Sequence, residues 1–139
     1  MMTNNKLREL VLPAEKENLS QAMGFIASCL EDTGCSVKAQ MQIDLAVEEI
    51  FVNVASYAYT ANRGEVTVRV EASPHSVTIT FIDSGIPYDP LAKPDPDITL
   101  SARNRQIGGL GIFLTKKFMD DVSYEYRDGR NILKLTKSY

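Results

Sequence analysis

The strongest constraint on the fold is a change of hydrophobic period near the middle of the chain. Before residue 62 the apolar residues recur every three or four positions, as in Ala22, Ile26 and Leu30, which is typical of amphipathic helices. After Gly64 they recur at every second position, which is typical of half-buried strands. The sequence therefore predicts helices in the first half of the chain and a sheet built mainly from the second half.

The same patterns predict the element order β-α-α-β-β-loop-α-β-β. Pro13 suits the first turn of the first helix, and Ser36 is a candidate N-cap for the second. The expected bounds are strands at 7–12, 66–70, 77–82, 122–126 and 132–136, and helices at 14–32, 36–59 and 108–120. Because tight turns join neighbouring strands, we expect an α+β fold: a two-layer α/β sandwich with a mostly antiparallel sheet and three helices on one face.

Composition narrows the class of protein. The 139 residues suit one domain, 1–139, and the net charge of −3 argues against direct binding of nucleic acid, which needs a basic surface. No apolar run is long enough to cross a membrane, and no leader is visible at the N-terminus. Cys29 and Cys35 have no metal-site spacing or histidine cluster around them. We expect a cytoplasmic protein.

Two polar residues stand out on the second predicted helix. Glu49 and Asn53 are one turn apart, near the edge of the apolar stripe formed by Ile43, Val47 and Ile50. Burying a carboxylate and an amide without partners costs several kcal/mol, and a ligand or metal would supply those partners. The alternative is that Glu49 faces water and Asn53 caps a neighbouring group.

A second motif follows the strand that ends near residue 82. Asp83 comes directly after an apolar strand, and Gly85 follows two residues later. The carboxylate could be presented to the edge of a flat ligand, and glycine would allow close approach. A plain turn is the other interpretation.

A third motif is the glycine cluster formed by Gly108, Gly109 and Gly111, which leads directly into a helix. Backbone N–H groups at a helix N-terminus favour phosphate. The pattern is not a Walker A loop, because no Gly-Lys-Ser/Thr follows. A tight entry into the helix would explain the same glycines.

The three motifs occur in one order and at sensible spacing, and together they resemble the GHKL (Bergerat-fold) ATPase superfamily. Residues 46–53 match its N box, 83–87 its first glycine box and 108–111 its second glycine box. The resemblance covers about residues 7–137, with an ATP lid at about 87–111. The likeness is greatest to the bacterial anti-sigma factor serine kinases.

This resemblance implies roles for the residues of the N box and the first glycine box. Glu49 would be the catalytic general base, and Asn53 would bind ATP through Mg²⁺ as the metal ligand. Asp83 would accept a hydrogen bond from the adenine amino group, and Gly85 would give the base room.

The resemblance also implies roles within the lid. Gly108, Gly109 and Gly111 would form its phosphate-facing hinge. Arg105 would contact phosphate, with Arg103 as the alternative.

The implied function is an ATP- and Mg²⁺-dependent serine kinase of a partner-switching system. It would phosphorylate a STAS-domain anti-anti-sigma protein, bind a sigma factor and form a homodimer. Tyr57, where many relatives have histidine, and Pro87, in place of a second glycine, favour an alternative: a non-catalytic, nucleotide-dependent protein-binding switch. A histidine kinase fragment fits less well, because His75 lies in a predicted turn.

Overall fold

The structure is a computed structural model that describes residues 6–31, 33–58, 64–92 and 110–139. Eight main elements follow one another in the predicted order. The strands are β1 (Lys6–Pro13), β2 (Glu65–Ala72), β3 (Ser76–Asp83), β4 (Asp121–Arg127) and β5 (Arg130–Ser138). The helices are α1 (Leu19–Leu30), α2 (Val37–Asn53) and α3 (Leu110–Phe118).

The strands form one five-stranded sheet in the order β1-β2-β3-β5-β4, and each adjacent pair is antiparallel. Alternation along β2 places Val66, Val68 and Val70 in the core, while Arg69 on the other face pairs with Glu9. The β4–β5 turn has positive φ at Asp128 (56°) and Gly129 (78°), the conformation that an Asp-Gly hairpin turn favours. The expected α+β sandwich is confirmed.

The start of the first helix was predicted wrongly. Pro13 is not in a helical turn but ends β1, an edge strand, where a residue without an N–H is tolerated. Ala14 still bonds to Gly64 of the neighbouring chain segment (2.8 Å), which keeps the backbone with the sheet. A 3₁₀ turn at Lys16–Asn18 then redirects the chain, and α1 begins only at Leu19.

The second helix starts as predicted and ends earlier. The Ser36 side chain accepts a hydrogen bond from the Ala39 N–H (3.1 Å), which confirms the N-cap. At the end of α2 the Val54 N–H donates to the carbonyls of both Ile50 and Phe51, and a π-helical turn follows at Val54–Ala58. Such turns occur frequently at functional sites, and this one follows directly on the Glu49–Asn53 pair.

The core lies between the sheet and the helices. Helix α1 packs on β1 and β2, and α2 packs between α1 and α3. The side chains that are fully buried here include Phe51, Phe81, Ile26, Ile43, Ile50, Ile79 and Leu135. No helix in the described ranges is both long and apolar enough to span a bilayer.

Candidate functional site

The C-terminal turn of α2 links the two predicted polar residues directly. The Asn53 side-chain Nδ2 donates to the Glu49 backbone carbonyl (2.8 Å) and to the Glu49 carboxylate Oε1 (3.2 Å). Within the described part of the chain, Asn53 Oδ1 accepts no hydrogen bond. These two hydrogen bonds therefore hold the Asn53 side chain by its nitrogen, and the Oδ1 oxygen is available to a cation.

The electrostatics of Glu49 suit a proton acceptor. Burial raises the pKa of the Glu49 carboxyl above its ordinary value, and the charge of Glu48 adds to this increase. The hydrogen bond from Asn53 opposes it. A carboxylate with a raised pKa is closer to the range in which general bases work at neutral pH.

Helix α3 approaches Glu49 through a glycine. A Cβ atom built on Gly111 would overlap the Glu49 carboxylate, so a side chain at this position would displace that group. Glu49 and Gly111 line a surface depression together with Leu45, Glu48, Val52, Leu114 and Thr115. The second glycine box and the N box therefore meet at the Glu49 carboxylate.

Asp83 ends β3 and is almost completely buried, with 5% of its surface exposed. Its Oδ1 accepts hydrogen bonds from the Gly85 N–H (2.9 Å) and from the Asn131 side-chain amide (2.9 Å). Burial raises the pKa of the Asp83 carboxyl, and these two hydrogen bonds oppose that increase. Among the described residues, Oδ2 has no hydrogen-bond donor and is available to a ligand.

Asn131 is a candidate site residue for which no role was predicted from the sequence. It lies directly opposite Asp83 in the β3–β5 ladder and is 5% exposed. Its amide contacts the Asp83 carboxylate, the Ile86 carbonyl (2.8 Å) and the Tyr88 N–H (3.1 Å). The available signal was its place beside the Asp-Gly turn of the last hairpin, in register with the end of the apolar strand that carries Asp83.

A small cavity connects Asp83 to the end of α2. Its walls are mostly apolar, and the residues that line it are Ile50, Asn53, Val54, Phe81, Asp83, Tyr88, Pro90, Tyr124, Asn131 and Leu133. Its volume is about 30 Å³, enough for one or two water molecules. An apolar slot with one carboxylate acceptor matches the edge of a flat ring that carries an amino group.

Tyr57 and Pro87, the two departures from the pattern of the superfamily, do not line this cavity. The ring of Tyr57 contacts that of Tyr88, with centroids 5.1 Å apart and an angle of 30° between the planes. Tyr88 and Pro90 line the cavity, whereas Pro87 is exposed. Tyr57 is therefore joined to the segment that covers the cavity.

The structure brings together five of the residues singled out from the sequence. Asn53 and Asp83 line the cavity, Gly85 bonds to Asp83, and Glu49 and Gly111 meet beside Asn53. The other candidates lie outside the described residues; they are Arg103, Arg105, Gly108 and Gly109.

Comparison with known proteins agrees with this geometry. Residues 12–137 match the family model described as "Histidine kinase-like ATPase domain". The chain is 30% identical to the serine/threonine-protein kinase BtrW of Bordetella bronchiseptica over 102 residues, which cover 73% of this chain and 72% of BtrW.

Two longer alignments cover nearly the whole chain. The serine-protein kinase RsbW of Listeria monocytogenes is 28% identical, covering 96% of this chain and 88% of the relative. The anti-sigma F factor of Caldanaerobacter subterraneus is 25% identical, covering 98% and 96% respectively.

A solved structure shares the fold. The crystal structure of the RsbU and RsbW domains of Rv1364c from Mycobacterium tuberculosis superposes with a TM-score of 0.67 at 14% identity. The match covers 96% of this chain and spans 33% of the solved chain. The resemblance inferred from the three motifs is confirmed, and the chain belongs to the histidine kinase-like ATPase domain family.

Proposed function

We propose that this protein is an ATP-dependent serine kinase of the anti-sigma type, which phosphorylates a STAS-domain anti-anti-sigma partner. The observation that carries the proposal is the pair of available acceptor atoms, Asp83 Oδ2 and Asn53 Oδ1, on one cavity with Glu49 beside it. The relatives named as serine kinases and as an anti-sigma factor support the same function.

The residues fit ATP and Mg²⁺. Asp83 Oδ2 would accept from the adenine amino group, and Gly85 would give the base room beside it. Asn53 Oδ1 would hold Mg²⁺, since a single amide oxygen on a largely hydrated ion is typical of magnesium–phosphate sites. Gly108, Gly109, Gly111 and Arg105 (or Arg103) would face the phosphates at the start of α3.

Glu49 would act on the partner's serine. Its raised pKa and its fixed contact with Asn53 suit it to accept the hydroxyl proton as the serine oxygen bonds to the γ-phosphorus and the bond to ADP breaks. Bound Mg-ATP supplies the phosphoryl group. The protein itself contributes position and a proton acceptor.

The partners follow from the same family. The anti-sigma F relative supports a sigma factor as a second partner, bound when the STAS protein is phosphorylated. A homodimer and a cytoplasmic location complete the proposal. Incubation with radiolabelled ATP and the STAS-domain proteins encoded near its gene tests it, because labelled phosphoserine should form on one of them.

A second function is favoured by Tyr57 and Pro87, the two departures from the pattern of the superfamily. In this view, nucleotide occupancy only sets the conformation of the lid and therefore which partner binds. ATP turnover with and without the STAS partner distinguishes the two functions, because a pure switch would bind ATP and never transfer phosphate.

Nucleotide binding should change tyrosine fluorescence. The cavity has a volume of only about 30 Å³, so we expect Tyr88 and Pro90, which line it, to shift when a purine enters and to alter the contact between Tyr88 and Tyr57. The chain has six tyrosines and no tryptophan, so the signal is not masked. Titration with Mg-ATP should give a saturable change that is smaller in Tyr88→Phe and unaltered in Tyr126→Phe, a control at an exposed ring. Tyrosine fluorescence that stays unchanged up to a saturating ATP concentration would contradict this prediction.

Substitution of Gly111 should impair transfer while the fold is kept. In Gly111→Ala the new methyl group displaces the Glu49 carboxylate, which is the mobile end of a side chain, so the cost falls on catalysis. A misplaced base should slow phosphotransfer by about 10–100-fold. Gly24→Ala is the matched control, since a Cβ on this helical glycine meets no atom within 4 Å. Wild-type transfer rates in Gly111→Ala would show that the close contact between Gly111 and the Glu49 carboxylate is not needed for catalysis.

A further inference from the structure

Both ends of the Asn131 side-chain amide have all their hydrogen-bond partners, and the chemistry of these partners fixes the orientation of the amide. Its Nδ2 faces two acceptors, Asp83 Oδ1 (2.9 Å) and the Ile86 carbonyl (2.8 Å). Its Oδ1 faces two donors, the Tyr88 N–H (3.1 Å) and the Tyr124 hydroxyl. A flipped amide would oppose like groups at every contact, so only one orientation is compatible with the site.

This orientation determines which oxygen of Asp83 is left for a ligand. Oδ1 already accepts from both Asn131 and the Gly85 N–H (2.9 Å), which occupies its lone pairs. Oδ2 is the only oxygen of this carboxylate without a donor among the residues described. Since Asp83 and Asn131 are directly opposite in the last rung of the ladder, the contact is held by the sheet itself.

The same amide also holds the segment that covers the cavity. The Ile86 carbonyl and the Tyr88 N–H belong to the chain directly after Gly85, and Tyr88 lines the cavity. The Asn131 side chain therefore connects the Asp83 carboxylate to the segment from Ile86 to Tyr88.

We propose that Asn131 is a positioning residue that sets base specificity, by holding Asp83 with Oδ2 directed at a 6-amino group. The inference rests on the proposed function, because it takes the base to be adenine. A purine with a 6-oxo group would present an acceptor to this carboxylate and be rejected. Loss of the amide donor should therefore reduce discrimination between the two bases.

The test compares Mg-ATP with Mg-ITP, which carries a 6-oxo group and the same phosphates. Asn131→Asp replaces only the donor half of the amide and places a second carboxylate group against Asp83. Tyr124→Phe is the control, because it removes a donor to the acceptor half and leaves the contact with Asp83. Asn131→Ala, which has no side-chain donor, serves as a second variant if Asn131→Asp does not fold.

Calorimetry should show the ITP/ATP ratio of Kd values falling at least about tenfold in the Asn131 variants and by less than about threefold in Tyr124→Phe. Equal weakening of both nucleotides, or an unchanged ratio, would make Asn131 purely structural and overturn the inference while leaving the proposed function intact. A wild-type protein that binds neither nucleotide would overturn both.

Discussion

Glu49→Gln should bind Mg-ATP with nearly wild-type affinity and lose phosphotransfer by about 10²–10⁴-fold, the usual contribution of a positioned base. Glutamine keeps the shape of the side chain and an oxygen that can accept from Asn53 Nδ2, so the contact at 3.2 Å survives. It cannot take up the serine proton at neutral pH. The measurement is the rate of phosphate transfer to the STAS partner, with nucleotide affinity determined on the same preparation.

Glu48→Gln is the matched control for this variant. Glu48 is the preceding residue on α2 and is exposed, and its charge only adds to the raised pKa of Glu49, so its substitution should leave transfer nearly unchanged at a pH above that pKa. Full transfer activity in Glu49→Gln would refute the base assignment.

The pH dependence provides a second check on Glu49. Because burial raises its pKa, the group remains protonated to a higher pH than an exposed glutamate. Only the deprotonated form can accept a proton, so transfer should rise with pH through this raised pKa and then level off. That rise should be absent from the residual activity of Glu49→Gln.

Asp83→Asn should weaken Mg-ATP binding by about a hundredfold or more, because it replaces one hydrogen-bond acceptor at the adenine site with a donor. The asparagine Oδ1 can still accept from Gly85 and Asn131, so the contacts that hold the turn are kept. Its Nδ2 replaces the ligand-facing oxygen and would oppose the adenine amino group, donor to donor. Asp83→Ala should also lose binding, since it removes the acceptor altogether.

Inosine triphosphate is the control ligand for Asp83→Asn. Its 6-oxo group would accept from the new amide, so its affinity should be retained or improved. Unchanged ATP affinity in the folded Asp83→Asn protein would contradict the assignment of Asp83.

Much of this site could be predicted from sequence because its residues lie close together in local patterns. Glu49 and Asn53 are one helical turn apart, so the period of α2 alone places them side by side. Asp83 follows an apolar strand, and the structure places it at the last position of β3. The element order followed from the change of period, which depends only on neighbouring residues.

The missed features depend on contacts between distant parts of the chain. Asn131 is 48 residues from Asp83, and its role requires the β3–β5 register, which no local pattern specifies. The contact of Gly111 with Glu49 likewise depends on how α3 packs on α2. The late start of α1 has the same cause, since the bond from Ala14 to Gly64 holds that segment to a strand formed much later in the chain.

A crystal structure of the protein with Mg²⁺ and a non-hydrolysable ATP analogue would show whether Asp83, Asn53 and Glu49 form one nucleotide site. We expect the adenine amino group within hydrogen-bond distance, about 3 Å, of Asp83 Oδ2, the metal on Asn53 Oδ1 and the γ-phosphate beside Glu49. Tyr88 and Pro90 should have moved outward to admit the base. An analogue bound elsewhere, or a base that leaves Asp83 Oδ2 without a partner, would contradict this prediction.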